Sequence, residues 1–259
     1  MAEGDTIHHL AARIRPVLAG RAPEEIATPQ PRHRPERWAQ RLAGRAVRAV
    51  DVHGKHLFLR FEGGLTVHSH LRMSGAWGVW RPGERWSRSR RRAWLVIRTG
   101  DVEVVEFDGP LLELVDEVRL RRDPRLVALG EDVLGEELDT ALFLARLRAL
   151  DPRRPIGDAL LDQGVVAGIG NVWKAETCFA VGVDPWRALA AVRDEEALAL
   201  LAFAREHMRV SAREGIDARP AAAVYGRAGM PCVRCGVRIE SRGQWENNRL
   251  TFWCPGCQS

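Results

Sequence analysis

Lysine is almost absent from this chain. Lys55 and Lys174 are the only two among 39 basic residues, the rest being arginine, a skew that fits a GC-rich genome. Long apolar runs are missing too. None approaches the roughly 18 residues that a membrane-spanning helix needs, so no membrane segment is expected. The start has neither the basic cluster nor the apolar stretch of a secretory signal, which argues for the cytoplasm. Internal repeats and low-complexity tracts are lacking, and 259 residues suit one large domain or two small ones with an appended module. Cysteine is confined to the tail except for Cys178, which is expected to be a buried core residue on a helix.

What the tail holds is Cys232-x2-Cys235-x18-Cys254-x2-Cys257. Two CxxC pairs at this spacing read as a four-thiolate zinc site, with a β-hairpin between the knuckles. Four protein ligands leave no open position for a catalytic water, so one structural zinc ion is expected. Two disulfides are the alternative, but they require an oxidising compartment. A net charge of +5 and a pI near 9.3 point to a polyanionic partner.

Residues 5–18 place Ile7, Leu10, Ala11, Ile14 and Leu18 at helical spacing before Gly20. Residues 21–37, rich in Pro and Arg, read as loop. From about 45 to 121 come short β-rich runs broken by Gly and Pro, the pattern of an antiparallel sandwich or barrel. Between them, 81–92 carries six arginines and no aliphatic side chain and reads as a solvated loop. After Asp123-Pro124 the chain turns helical: 136–150, then a helix, a glycine-rich turn and a helix over 155–185, then 193–215. The expected fold is therefore α+β and multidomain. A β-sandwich domain with a leading helix spans 1–121, a linker 122–136, a helical domain 137–225 and a zinc-binding hairpin 226–259.

Several segments, in order, resemble the formamidopyrimidine-DNA glycosylase and endonuclease VIII family of DNA-repair enzymes: "MAEGDT", "HGKHLFLRF", "HSHLRMSG", "QGVVAGIGNVWKAE", "VYGRAGMPC" and "NRLTFWCPGCQ". The likeness covers essentially the full length and lies nearer the endonuclease VIII branch, which prefers oxidised pyrimidines. The "RF" pair of the formamidopyrimidine branch is missing, since this chain reads "EFDGP" at 106–110. The helical domain would be the family's helix–two-turn–helix module. Damaged DNA would be the partner, and a monomer the working form.

The resemblance assigns chemistry to particular residues. Loss of Met1 exposes the α-amine of residue 2, which attacks the sugar and forms an imine. Most members have proline there; this chain has Ala2, which leaves a primary amine and is expected to slow strand cleavage. Glu3 takes general acid–base work, with a proton kept available by its surroundings. Asp5 is either a functional acid or the N-cap of the first helix. Lys55 and His70 match groove-lining residues, although His70 also suits an ordinary strand histidine. Met73 matches the side chain that fills the gap left by an extruded base, against a core role. Asn171 either donates to a phosphate beside the helix N-terminus or caps that helix. Arg249 matches the phosphate-binding arginine of the hairpin. A binding protein of the same fold that recognises lesions without cutting stays open, as does an unrelated nucleic-acid protein with a zinc ribbon.

Overall fold

The computed structural model describes residues 2–246 and 248–259. It divides into two compact units, one of residues 1–2 and 6–127, the other of residues 3–5 and 128–259. Met1, whose removal the imine chemistry requires, lies outside the described residues.

The first unit begins with the greater part of helix α1 (Gly4–Leu18). Ile7, Ala11, Ile14 and Leu18 recur on one face of α1, and all are buried. Next come β1 (Glu25–Ala27), a 3₁₀ turn over Pro31–Glu36 and α2 (Trp38–Leu42). Residues 21–37 are thus not all loop, since β1 pairs with a later strand. The strands β2 (Val47–His53), β3 (His56–Phe61), β4 (Leu65–His70), β5 (Ala76–Trp80), β6 (Ala93–Thr99), β7 (Val102–Phe107) and β8 (Leu111–Asp116) follow. The short helices α3 (Glu117–Arg121) and α4 (Pro124–Val127) close the unit. Two four-stranded antiparallel sheets result, ordered β1-β6-β7-β5 and β2-β3-β4-β8. Their inner faces share one core that includes Leu57, Leu59, Phe61, Val67, Leu95, Ile97 and Val104, together with the α1 stripe. This is the expected sandwich with a leading helix.

The Arg-rich segment 81–92 departs from a solvated loop. Trp86 is buried with Ala93, Val96, Val105 and Phe107, donates from Nε1 to Glu103 Oε2 at 2.9 Å, and lies under the Arg90 guanidinium. One aromatic ring anchors a stretch that charge patterning assigns to solvent.

The second unit carries α5 (Thr140–Arg148), α6 (Ile156–Ala159), α7 (Asn171–Val181) and α8 (Asp194–Glu214), then the hairpin β9 (Glu240–Gln244) and β10 (Arg249–Trp253). Helix α5 starts later than its apolar pattern suggests because Asp139 caps it, accepting from Ala141 N and Leu142 N. The helix before the glycine-rich turn is a single turn, α6. Helix α8 ends at Gly215, as its sequence implies. Phe143, Leu147, Ile156, Leu160, Trp173, Leu200 and Met208 belong to the core of this unit.

Candidate active site and metal centre

The N-terminus of α7 explains the glycine-rich stretch before it. The first N–H groups of a helix lack internal partners, and α7 has no acidic side chain in its first turn. Glu3 supplies one from the other end of the chain: Val172 N donates to Oε1 at 2.8 Å and Trp173 N to Oε2 at 3.2 Å. The helix dipole favours negative charge there. Glycine is required around this contact. A Cβ on Gly170 would come within 2.3 Å of the Glu3 carboxyl carbon, and one on Gly4 within 2.9 Å of the Gly168 backbone. Gly168 itself has φ 109°, a conformation for which glycine is suited. Gly4 N donates to Gly168 O at 2.9 Å, and Gln163 ties the turn by accepting from Gly168 N and donating to Ile169 O.

The Val172 and Trp173 N–H groups are thus taken up by the two oxygens of Glu3. Asn171 is the first residue of α7 and not its cap, which is Gly170. Its Nδ2 donates to Leu250 O at 2.9 Å, while Oδ1 is buried without a hydrogen-bond partner.

Lys174, one helical turn on, is fully buried and donates from Nζ to Thr251 Oγ1 at 2.6 Å. Thr251 in turn contacts Gln244 Oε1 at 2.9 Å, and Gln244 Nε2 reaches Pro185 O. Burial holds the Lys174 ammonium down at about 8. Asn171 and Lys174 thus clasp β10 from one face of α7, and the clasped strand begins with Arg249. Arg249 is exposed, and its guanidinium makes no hydrogen bond or ion pair among the described residues, while its carbonyl accepts from Thr251 Oγ1 at 3.3 Å.

Asp5 is not a helix cap either. It lies inside α1, fully buried, paired bidentately with Arg219 at 2.6 and 2.8 Å and accepting from Ser211 Oγ at 2.5 Å. A buried guanidinium–carboxylate fork of this kind is a structural tie.

On the first unit Ala2 packs against the sandwich core. Lys55 sits at the two-residue turn between β2 and β3, beside Gly54 with φ 58°, as a turn with glycine at its first central position requires. His70 lies on β4 directly opposite His56. Its Nδ1 accepts from Arg72 N at 3.1 Å, and burial with the nearby Lys55 and Arg72 charges lowers its pKa to about 4. Met73 is 67% exposed, which rules out a core role.

In the tail the four cysteine Sγ atoms lie within 4.8 Å of one another. The Cys232–Cys257 and Cys235–Cys254 sulfurs are 3.8 and 3.5 Å apart, far from disulfide bonding. A tetrahedral ion with Zn–S bonds of about 2.3 Å sets sulfurs about 3.8 Å apart, so the thiols present fit such an ion. The hairpin spans the interval between the two knuckles, as the spacing implies. Cys178 is buried and its thiol is pushed up to about 12.

Comparison with known proteins settles the family. Residues 1–121 match the formamidopyrimidine-DNA glycosylase N-terminal domain and residues 129–219 the helix–two-turn–helix domain of the same enzymes. A probable endonuclease 8 of Streptomyces coelicolor is 40% identical over 100% of this chain and 94% of its own length. This chain belongs to the formamidopyrimidine-DNA glycosylase family, in its endonuclease 8 branch. An endonuclease 8 of Mycobacterium tuberculosis is also 40% identical, with both chains fully covered. A DNA-(apurinic or apyrimidinic site) lyase of Mycolicibacterium smegmatis is 36% identical over 100% of this chain and 99% of its own. In fold, the family member from Lactococcus lactis, solved non-covalently bound to abasic-site DNA, superposes with a TM-score of 0.82 at 21% identity over the whole of both chains.

Sequence reasoning missed Lys174, Thr251 and Gln244, the Asp5–Ser211–Arg219 tie, and strand β8 with Glu113. Only β8, a short Leu- and Val-rich run after Gly109-Pro110, left a readable signal.

Proposed function

We propose that this protein is a DNA glycosylase with abasic-site lyase activity in base excision repair, acting on oxidised pyrimidines. The observation that carries the reading is Glu3 held on the N-terminus of α7, immediately after the residue whose amine would react. The full-length likeness to endonuclease 8 proteins and to an abasic-site lyase supports it.

The chemistry follows from the amine. An α-amine titrates near 7.7–8.0, so on the order of a tenth is neutral at pH 7, against well under a hundredth for an ordinary lysine. With Met1 removed, the Ala2 nitrogen lone pair attacks C1′ and the bond to the damaged base breaks, the base leaving with a proton. Ring opening yields an imine; a C2′ proton is then lost and the 3′ phosphate departs. Glu3 is the carboxylate that moves protons at the sugar. A proline amine gives an obligately charged iminium, whereas the imine of Ala2 must be protonated to withdraw electrons, so elimination is slower here. Lys55, His70, Asn171 and Arg249 hold the backbone, and Met73 fills the space of the extruded base. Cys232, Cys235, Cys254 and Cys257 would hold one zinc ion, which supplies cross-linking of the hairpin and no chemistry at the sugar. The protein works as a cytoplasmic monomer on damaged DNA.

Borohydride trapping on an oligonucleotide with one abasic site, followed by peptide mass spectrometry, tests this. An adduct on Ala2 is expected, with faster strand nicking by Ala2→Pro. An adduct on Lys55, or binding with neither adduct nor base release, would overturn the assignment; the latter outcome would identify a lesion-binding protein. Lys174 is sealed beneath β10 and is not a competing nucleophile.

A further inference from the structure

The outer face of the β2-β3-β4-β8 sheet carries a string of side chains that the proposed reaction does not use. Antiparallel register sets His53, His56 and His70 side by side in one row, and Phe58, His68 and Glu113 in the next. Residues two apart on a strand share a face, so the two rows lie together. His56 Nδ1 is 2.8 Å from His68 Nε2, and His68 Nδ1 is 3.1 Å from Glu113 Oε1. Arg125 donates to Glu113 Oε1 at 2.5 Å and also pairs with Asp123. The His56 ring meets His70 edge-on, centroids 4.6 Å apart.

The tautomers follow by elimination. Glu113, facing Arg125, is an acceptor, so His68 carries its proton on Nδ1 and accepts at Nε2. His56 therefore carries its proton on Nδ1 and keeps a lone pair at Nε2. His70 accepts the Arg72 N–H at Nδ1, so its proton is on Nε2. A base and a donor stand next to each other beside Lys55. Burial keeps the rings neutral, holding His56 down at about 2 and His70 at about 4, with His68 lowered as well. The carboxylates of Glu113 and Asp123 already hold the Arg125 guanidinium, so this is a hydrogen-bond string and not a cation site.

We propose that the His56–His68–Glu113 string makes phosphate docking at Lys55 and His70 proton-linked, so that DNA affinity rises as pH falls. The inference rests on the reading above that Lys55 and His70 meet the DNA backbone. In the free protein an imidazolium here faces desolvation and the cations Lys55, Arg72 and Arg125. A docked phosphate supplies the missing counter-charge on one side, and Glu113 supplies one on the other. One N–H bond forms at His56 Nε2 with a proton from solvent, and the charge is shared along the string. The remaining charged or titratable neighbours, His53, Asp51, Arg60 and Asp123, are present in both states. The sign follows: the DNA-bound pKa exceeds the free one, so affinity is gained below the bound value, and the linkage extends down toward the free values.

The test uses the full-length, zinc-loaded protein and a duplex carrying one uncleavable tetrahydrofuran abasic analogue. Kd is measured from pH 5.5 to 8.5 at fixed ionic strength, and calorimetry in two buffers of unlike ionisation enthalpy counts protons. Wild type should bind up to about tenfold tighter per pH unit below neutrality, with measurable proton uptake. His68→Asn and Glu113→Gln should flatten that slope and leave affinity at pH 8.5 within about twofold of wild type. A flat wild-type profile, or variants with the wild-type slope, would overturn the proposal. Should those variants fail to fold, His56→Asn replaces them: undiminished uptake in it, which the Ala2 amine alone would give, overturns the proposal, as does zero uptake by wild type. Lys55→Ala and His70→Gln probe the underlying reading: if neither weakens binding, that reading fails. If either does while wild type takes up no proton, only the relay fails.

Discussion

In the second unit Glu3, Asp5 and Lys174 are fully buried, and each is engaged by a named partner: the α7 N-terminus, Arg219 with Ser211, and Thr251. In the first unit Lys55 stands at a hairpin turn, Met73 is largely in solvent, and the His56–His68–His70 string lies on an outer sheet face. The difference teaches where free energy is committed. Groups of the second unit are ordered before any ligand arrives, so altering them should cost stability as well as activity. Lys55 and Met73 of the first unit carry no such commitment, so altering them should leave the fold intact, whereas His68 is buried and bound to His56 and Glu113 like the groups of the second unit.

Disabling the four-cysteine cluster of the tail, which fits a zinc ion, would break the comparison most severely. Zinc binding is folding free energy for small thiolate modules, of order 10 kcal/mol. Chelation, or Cys254→Ser, should release the hairpin that presents Arg249. Loss of binding to abasic-analogue DNA, together with loss of one bound zinc by metal analysis, checks this. Retained binding in a metal-free protein would refute it.

Next in size is Asp5→Ala, which leaves Arg219 inside the second unit without its carboxylate. Breaking a buried pair from one side costs about 3–5 kcal/mol, readable as a shift in urea midpoint. A change under about 1 kcal/mol would show that the tie is not an anchor.

Glu106 sharpens the contrast because it is the first unit's own buried acid. It is fully buried, neither oxygen has a hydrogen-bond partner of good geometry, and burial pushes its pKa up to about 8 against the pull of the neighbouring Gly109 N–H. The folded state therefore keeps a proton that the unfolded chain releases above about pH 4.5. Stability associated with this group is fully present below pH 4.5 and is lost progressively as pH rises toward 8. Glu106→Gln should stabilise the protein by about 3 kcal/mol at pH 7 and by almost nothing at pH 4.5. Denaturation of both proteins at the two pH values decides it.

Lys55→Ala should have the smallest effect on the fold, within about 0.5 kcal/mol. Its consequence belongs to binding: the slope of log affinity against log salt should fall by about 1. An unchanged slope would place Lys55 outside the DNA contact.

Much of this architecture was legible beforehand because local signals carried it. The period of Ile7, Ala11, Ile14 and Leu18 foretold α1, and the CxxC spacing foretold a closed hairpin. Helix α8 was bounded by its apolar repeat and Gly215. What failed to show depended on distant partners. Asp5 looks like a cap until Arg219 is seen. Trp86 looks like part of a charged loop until the outer face of β6 and β7 is there to cover it. Edge strand β1 has no signal of its own, and forms because β6 offers unpaired backbone.

The sequence by itself determined the order of elements, the four-cysteine set of the tail and the family, since each is written in residue type and spacing along the chain. Only the tertiary structure decided that Glu3 closes the N-terminus of α7, that Asn171 and Lys174 grip β10, and that three histidines and Glu113 form one string. Those contacts join residues as far as 170 positions apart. The physical reason is that buried N–H groups and charges must find partners wherever the fold brings them, and no local pattern encodes which distant residue that will be.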